Sequence, residues 1–337
     1  MTSRVPIGLL HETTTKALVA MGHNNSAAKV IADVLMYAEI RANNQGLIKL
    51  VSGALKPNSA STEVKCMFES PVSAKYDGGQ CIGMVVVAEA VDAAIRKAKT
   101  SGISIVGCSN YASATGALGV WAKKIADEGL IGIVLSQCSE MVAPHGSYEA
   151  IFGTNPLAIG IPTQPRAQIL DMATSSWAFF GLKTAEAEGR SIPEDVAYDA
   201  EGHQTTNPTE ALKGALRVFD RSYKGSHLAL MVELLAGAFT GAAMEDKTNA
   251  KNWGSLVIAI DPKVFGPDTA ENFQASAMSM CNRVKNAKRL PGETGEIMLP
   301  GERGDAVAAE NTALDSIPIL DSVFADLQKI ANGENKA

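Results

Sequence analysis

Residues 84–135 read MVVVAEAVDAAIRKAKTSGISIVGCSNYASATGALGVWAKKIADEGLIGIVL, and this stretch decides the class of fold. Three short apolar runs, Met84–Val87, Ile103–Val106 and Leu130–Leu135, carry the signal of buried strands. Between them, AEAVDAAIRKAKTSG and Gly116–Glu128 carry helical spacing. Strands alternating with helices predict a centre of mixed α and β structure. Further along, Asp171 closes an apolar Gln-Ile-Leu run, Tyr223–Thr240 is strongly apolar and helix-prone, and Leu256–Ile260 reads as another buried strand.

Toward the ends the pattern turns helical. From Ser26, a residue suited to an N-cap, to Arg41, the apolar residues Val30, Ile31, Val34, Leu35 and Ala38 fall on one helical face. The helix stops at the polar Asn43-Asn44-Gln45-Gly46. A shorter helix spans Leu47–Leu55, and a Pro- and Ser-rich patch at 57–63 marks a boundary. Helical patterns return at Thr269–Lys288 and Ile317–Ile330, separated by the Gly- and Pro-rich Pro291–Gly304, and residues 331–337 form a polar tail. Two helical ends around a mixed centre predict a discontinuous helical domain, 1–65 plus 268–337, beside an α+β domain, 66–267.

Composition removes several classes of function. The 337 residues are 46% apolar, enough for one large core or two modest ones. Thirty basic against 36 acidic residues give a net charge of −6 with no basic run, which argues against a nucleic-acid partner. Five scattered cysteines without a C-x-x-C pair fit a reducing compartment. The first residues lack the apolar centre of a secretion signal, and no apolar stretch is long enough for a membrane span, so a cytoplasmic location is expected. The two common glycine-rich phosphate motifs are absent, which disfavours a Rossmann enzyme, and the dispersed histidines His11, His23, His145, His203 and His227 predict no metal site.

Three loops with small hydroxyl residues or a Lys-Gly pair stand beside apolar runs: Gly153-Thr154-Asn155-Pro156, Leu170–Ser176 and Tyr223–Ser226. Free backbone amides, hydroxyls and a helix-opening lysine are the groups that cradle an anion such as a pyrophosphate, although each loop alone also reads as an ordinary turn or cap. Taken in order, GTNPLAI, LDMATS, the Pro193–Pro208 stretch, KG followed by LALMVELLAGAFTGA, and LPGE at Leu299–Glu302 carry a further message. Together they resemble the malate/L-lactate dehydrogenase family with a non-Rossmann cofactor domain. That family includes L-sulfolactate and ureidoglycolate dehydrogenases, 2,3-diketo-L-gulonate reductase and pyrroline- and piperideine-2-carboxylate reductases. The resemblance runs from about residue 8 to residue 330. It implies an α+β fold with a helical domain from both chain ends, a homodimer, and NADPH or NADH as cofactor. The cofactor contacts it implies fall on Asp171, Met172, Ala173, Thr174, Ser175 and Ser176, on Lys224 and Gly225, and on Pro300, Gly301 and Glu302.

The chain departs from the family where chemistry is expected. The family's R-G-x-x-S-H-G-x-x-R-L text is here Arg41–Leu50, one residue shorter, with Gln45 in place of a proton-donating histidine and Lys49 in place of a carboxylate-holding arginine. A second family histidine is replaced by Tyr111, and a position that is often histidine before the Lys-Gly pair is Tyr223. Gln45, Lys49 and Tyr111 are therefore the candidate catalytic residues. Tyr111 is the candidate proton donor, Lys49 a point charge for the tyrosine or for a carboxylate, and Gln45 a hydrogen-bonding amide. The competing reading makes Gln45 a loop cap, Tyr111 core filling and Lys49 a solvated cation. His145 is a weaker substrate-pocket candidate, and His203 lies in a polar turn.

The resemblance implies an NAD(P)H-dependent oxidoreductase that transfers hydride between nicotinamide and a C=O or C=N carbon of a small carboxylate-bearing substrate. One alternative is a cyclic-imine reductase of a specialised biosynthetic pathway, since an iminium ion arrives already protonated. The other is a non-redox enzyme or binding protein built on the same fold.

Overall fold

A computed structural model describes residues 1–334. The chain begins with β1 (Thr2–Pro6), α1 (Ile7–Ala20), α2 (Asn25–Glu39) and α3 (Ile48–Val51). The centre contains β2 (Lys65–Glu69), β3 (Ser73–Asp77), α4 (Gly83–Ser101), β4 (Ile103–Tyr111), α5 (Gly119–Asp127), β5 (Ile131–Ser136), β6 (Leu157–Ile161) and β7 (Gln168–Met172). It continues through α6 (Phe179–Ala187), β8 (Ala197–Tyr198), α7 (Pro208–Lys213), β9 (Ala215–Leu216), α8 (Tyr223–Val232), α9 (Lys247–Ala250) and β10 (Trp253–Ile260). The last elements are α10 (Thr269–Lys285), α11 (Glu302–Ala313), β11 (Ser316–Leu320) and α12 (Asp321–Ala331).

Seven strands form one mixed sheet in the order β2-β3-β4-β10-β5-β6-β7. Only β3 and β4 run parallel, and α4 makes the crossover between them. Helices α4 and α5 cover one face of the sheet. On the other face, α8 continues into a π-helical turn, Glu233–Gly237, and a 3-10 turn, Ala238–Thr240, packed over β5, β10 and β4. This mixed sheet has none of the doubly wound parallel order of a Rossmann domain.

The two chain ends meet. β1 pairs antiparallel with β11, Thr2 opposite Leu320, and α1 packs against both α2 and α12. One continuous core joins these ends to the centre, with Leu10, Ile31, Leu35 and Leu327 in the same apolar cluster as Val91, Val106, Val134 and Val257.

Three expectations from the sequence are corrected. Met84–Val87 is the first turn of α4, not a strand. This helix is pressed between the sheet and α2, so Met84, Val86, Val87, Ala90, Val91, Ala93 and Ala94 are all buried, and a helix buried on most sides shows an unbroken apolar run in place of a stripe. Ile317–Leu320 is strand β11, not the start of a helix. There Ile317 and Ile319 point inward while Pro318 and Leu320 point out, a period of two that becomes helical only at Asp321. The cap of α2 is Asn24, whose side chain accepts the Ala27 amide at 2.8 Å, two residues before Ser26. The expected C-terminal tail is described only to Glu334, so its last three residues lie outside the described residues. Among the described residues, no helix is long and apolar enough to cross a membrane.

Strand β6 passes so close under α5 that a Cβ at Gly160 would overlap the Ala122 carbonyl oxygen, a backbone atom that cannot swing aside. Gly160→Ala is expected to lower unfolding free energy by about 1–3 kcal/mol. Urea denaturation measures this, and an unchanged midpoint would mean that the helix and sheet are not in such close contact.

Candidate active site

A buried ion pair fixes the loops around the site. Ala229, Val232, Glu233 and Ala236 fall on the inner face of α8 and its π-helical extension, which places one carboxylate in an otherwise apolar row. Glu233 Oε1 lies 2.5 Å from Lys247 Nζ and accepts the Gln137 side-chain amide at 2.7 Å; its Oε2 accepts Asn155 Nδ2 at 2.6 Å. Lys247 also donates to the Ile151 carbonyl, Gln137 to that of Ala243, and Asn155 to that of Ala229. All four residues are at most 4% exposed. Because Glu233 is an acceptor only, both amides must turn their nitrogens toward it, which leaves Gln137 Oε1 and Asn155 Oδ1 buried without a partner. The network therefore ties the exit of β5, the Gly153–Pro156 loop, α8 and α9 into one rigid block.

Beside this block lies a cavity of about 490 Å³, whose walls include Gln45, Lys49, Cys138, Thr154, Asp171 and Phe180. A second cleft, of about 470 Å³, shares Asn43, Asn44 and Asp171 with the first and adds Arg41, Arg303 and the loop around Gly301. The two form one groove that pivots at Asp171.

Lys49, on the short α3, is 4% exposed, and its Nζ stands 4.8 Å from the centre of the Phe180 ring. Burial lowers its pKa to about 8, opposed by the neighbouring Cys138 and Asp171. Asp171, at the end of β7, accepts the Gly119 amide at 2.8 Å. The residue opens onto the groove yet sits deep among protein atoms, and this burial pushes its carboxyl pKa to about 6 against the pull of the Gly119 N–H and Lys49. Lys49 and Asp171 are thus a cation and an anion sharing one largely apolar cavity, each with a pKa moved toward neutrality.

The structure gathers some expected residues and separates others. Gln45, Lys49, Asp171, Met172 and Ala173 line the cavity. Pro300 and Gly301 line the second cleft, whereas Glu302 accepts the Leu299 amide at 2.7 Å and pairs with Lys285 and Arg166. Tyr111 is fully buried in the core, where burial holds its pKa well above the usual value. Its hydroxyl meets the cavity only at second hand, through Ser255 Oγ at 2.6 Å and then Ser136 Oγ at a further 2.6 Å, Ser136 being a wall residue.

The loop at Thr174 is tied to the segment that precedes Lys224: the Phe219 amide donates to the Thr174 carbonyl and the Ser176 amide to that of Arg217. Their donors, however, are already engaged, contrary to the expectation of a free pyrophosphate cradle. The Thr174 hydroxyl donates to the carbonyls of Thr154 and Asn155, Ser175 to that of Trp177, and Ser176 to that of Val196. The Gly225 amide donates to Asp220 and the Lys224 amide to Ser222, while the Lys224 side chain is exposed. His145 and His203 are both exposed, and neither lines the cavity.

Sequence reasoning missed Cys138, Phe180, Arg303 and the Glu233–Lys247 network. The one local signal was the lone glutamate inside LALMVELLAGAFTGA; its two amide partners, Gln137 and Asn155, lie far away in the chain.

Residues 5–328 match the family model described as malate/L-lactate dehydrogenase. The malate dehydrogenase of Pyrococcus abyssi is 32% identical over 97% of this chain and 94% of its own length. The Δ1-pyrroline-2-carboxylate reductase 1 of Burkholderia ambifaria is 32% identical over 84% and 87%. In structure, the sulfolactate dehydrogenase of Methanocaldococcus jannaschii superposes with a TM-score of 0.81 at 29% identity, covering 98% of this chain and 97% of that one.

Replacing Glu233 by Ala strands Lys247 as a buried unpaired cation and is expected to destabilise the protein by about 3–5 kcal/mol. Glu233→Ala with an unaltered denaturation curve would remove the ion pair from any role in holding the site.

Proposed function

This chain belongs to the malate/L-lactate dehydrogenase family, and from that premise we propose that it is an NAD(P)H-dependent reductase of small carboxylate-bearing substrates with a C=O or C=N carbon, working in the cavity between Lys49 and Asp171. The observation that carries this reading is the buried Lys49 ammonium facing the cavity.

The groove suits a nicotinamide dinucleotide. Its first cavity offers Phe179, Phe180, Met172 and Trp253 to a planar ring, and the second cleft offers Arg303 to a diphosphate, together with Arg41, which would have to exchange its pairing with Asp305 at 3.3 Å, with volumes in the range of cofactor sites. Met172, Ala173, Arg41, Arg303 and Gly301 are the residues that would hold it. When bound, such a cofactor supplies or accepts the hydride.

The protein's own groups do the rest. Lys49 places positive charge beside the substrate carboxylate and gives a proton to the substrate oxygen or nitrogen. Asp171 favours the charged lysine, Gln45 donates a hydrogen bond to fix the substrate's orientation, and the aromatic wall excludes water. Tyr111, outside the wall, acts as a positioning residue that holds Ser136 through Ser255.

We further read the protein as a homodimer. Leu230, Met231, Leu234, Leu235 and Phe239 are 37–66% exposed along α8 and its extension, a patch that suits a second copy of the chain. The division into 1–65 plus 268–337 and 66–267 is part of the same reading, supported by the pairing of β1 with β11 and the packing of α1 on α12.

Loss of 340 nm absorbance from NADH and NADPH is to be followed over a panel of 2-oxo acids and cyclic imine carboxylates. Nucleotide binding without turnover on any of them would favour a non-redox role. Reduction needs protonated Lys49 and ionised Asp171, so kcat/KM should be highest between about pH 6 and pH 8 and fall on either side. Lys49→Met should lower it by about 10²–10⁴-fold, and Lys49→Arg should remove the alkaline fall. An alkaline limb unchanged in Lys49→Arg would assign the proton to another group. Sedimentation should show a dimer that Leu234→Asp weakens; a wild-type monomer would reject the assembly.

A further inference from the structure

We propose that Lys49 has a second, nucleotide-independent activity: as a neutral amine it forms a reversible Schiff base with small carbonyl compounds, 2-oxo acids foremost. This goes beyond the redox reading, because it requires no hydride donor.

The geometry sets Lys49 apart from the other deeply buried lysines. Lys97 Nζ has Glu69 at 2.8 Å and the Ser70 carbonyl at 2.6 Å, and Lys247 Nζ has Glu233 at 2.5 Å and the Ile151 carbonyl at 2.9 Å. The nitrogens of both are therefore occupied by a carboxylate and a backbone carbonyl. Lys49 is equally buried but has no oxygen partner among the described residues; it has only the face of Phe180, and it lines a cavity large enough for a small molecule. A desolvated amine without an oxygen ligand is the arrangement that turns a lysine into a nucleophile. Its pKa of about 8 leaves about one amine in ten neutral at pH 7.

The chemistry balances without a redox partner. The free amine of Lys49 adds to the carbonyl carbon; a C–N bond forms, the C=O π pair moves to oxygen, and the proton shed by nitrogen is taken up there. The resulting carbinolamine loses its hydroxyl as water, and the nitrogen lone pair closes the C=N bond. Asp171, which lines the same cavity and has a carboxyl pKa of about 6, gives the proton that lets the hydroxyl leave. Its carboxylate then faces the iminium cation. Nothing is oxidised or reduced.

The test uses the full-length protein without nucleotide. It is incubated with pyruvate or glyoxylate, treated with sodium cyanoborohydride, digested and mapped by mass spectrometry. The peptide carrying Lys49 should gain the mass of the oxo acid less one oxygen. Its labelling rate should exceed that of exposed lysines such as Lys16 and Lys224 on the order of a hundredfold, the gain in neutral amine expected when a lysine pKa is lowered from its ordinary value to near 8. In urea that advantage should vanish, and folded Lys49→Arg should show no adduct at residue 49. Absence of label on Lys49, or label spread over the lysines in proportion to exposure, overturns the proposal even if the urea control or the variant behaves poorly. Adduct formation without NAD(P)H turnover would reject only the redox reading. Turnover without an adduct would reject only this one.

Discussion

The site depends on one buried carboxylate. Glu233 collects Lys247 from nearby in the chain and Gln137 and Asn155 from far away, and its two oxygens accept a donor from each. Two buried ions in a low-dielectric interior cost more to desolvate than an apolar replacement would, so the pair is better explained by geometry than by stability. What it specifies is position. Gln137 leads from the central sheet into the cavity wall, Asn155 anchors the loop whose neighbours Thr154 and Pro156 are wall residues, and α8 is held flush against both.

Around this fixed block the cavity is electrically unusual. Lys49 and Asp171 are both moved toward neutrality because the wall is apolar, and each favours the other's charged form. The same apolar wall thus sets two properties at once: it makes the ammonium a ready proton donor, and it leaves a usable fraction as free amine. A wall that solvated Lys49 fully would give neither.

Much of the fold is legible in the residues, and its failures have physical causes. β4, β5 and β10 announce themselves as apolar runs because they lie inside the sheet, and the edge strand β7 does so through its short Ile-Leu pair. β2 does not, because all five of its residues are exposed. The start of α4 misleads because enclosure erases the amphipathic stripe, and β11 misleads because its four-residue alternation adjoins a true helix. In the site, Lys49, Gln45 and Asp171–Ala173 line one cavity, and each lies next to a recognisable turn. Tyr111 does not join them: it occupies the last residue of β4, where its side chain turns inward among the strands and meets Ser255 on the neighbouring strand. The Glu233 network leaves no periodic trace, because its four residues are joined in space by hydrogen bonds and not by spacing.

The antiparallel pairing of Thr2 with Leu320 also bears on how the molecule is made on a ribosome. β1 waits for β11 to be synthesised, and at about 5–20 residues per second that interval is roughly 15–60 s. During it, β1 has an unpaired edge, and α1 lacks α12. The emerging polypeptide therefore carries an unpaired strand until β11 follows it, which makes early engagement by a chaperone, or tethering of β1 to its neighbours, a determinant of yield separate from the stability of the finished fold.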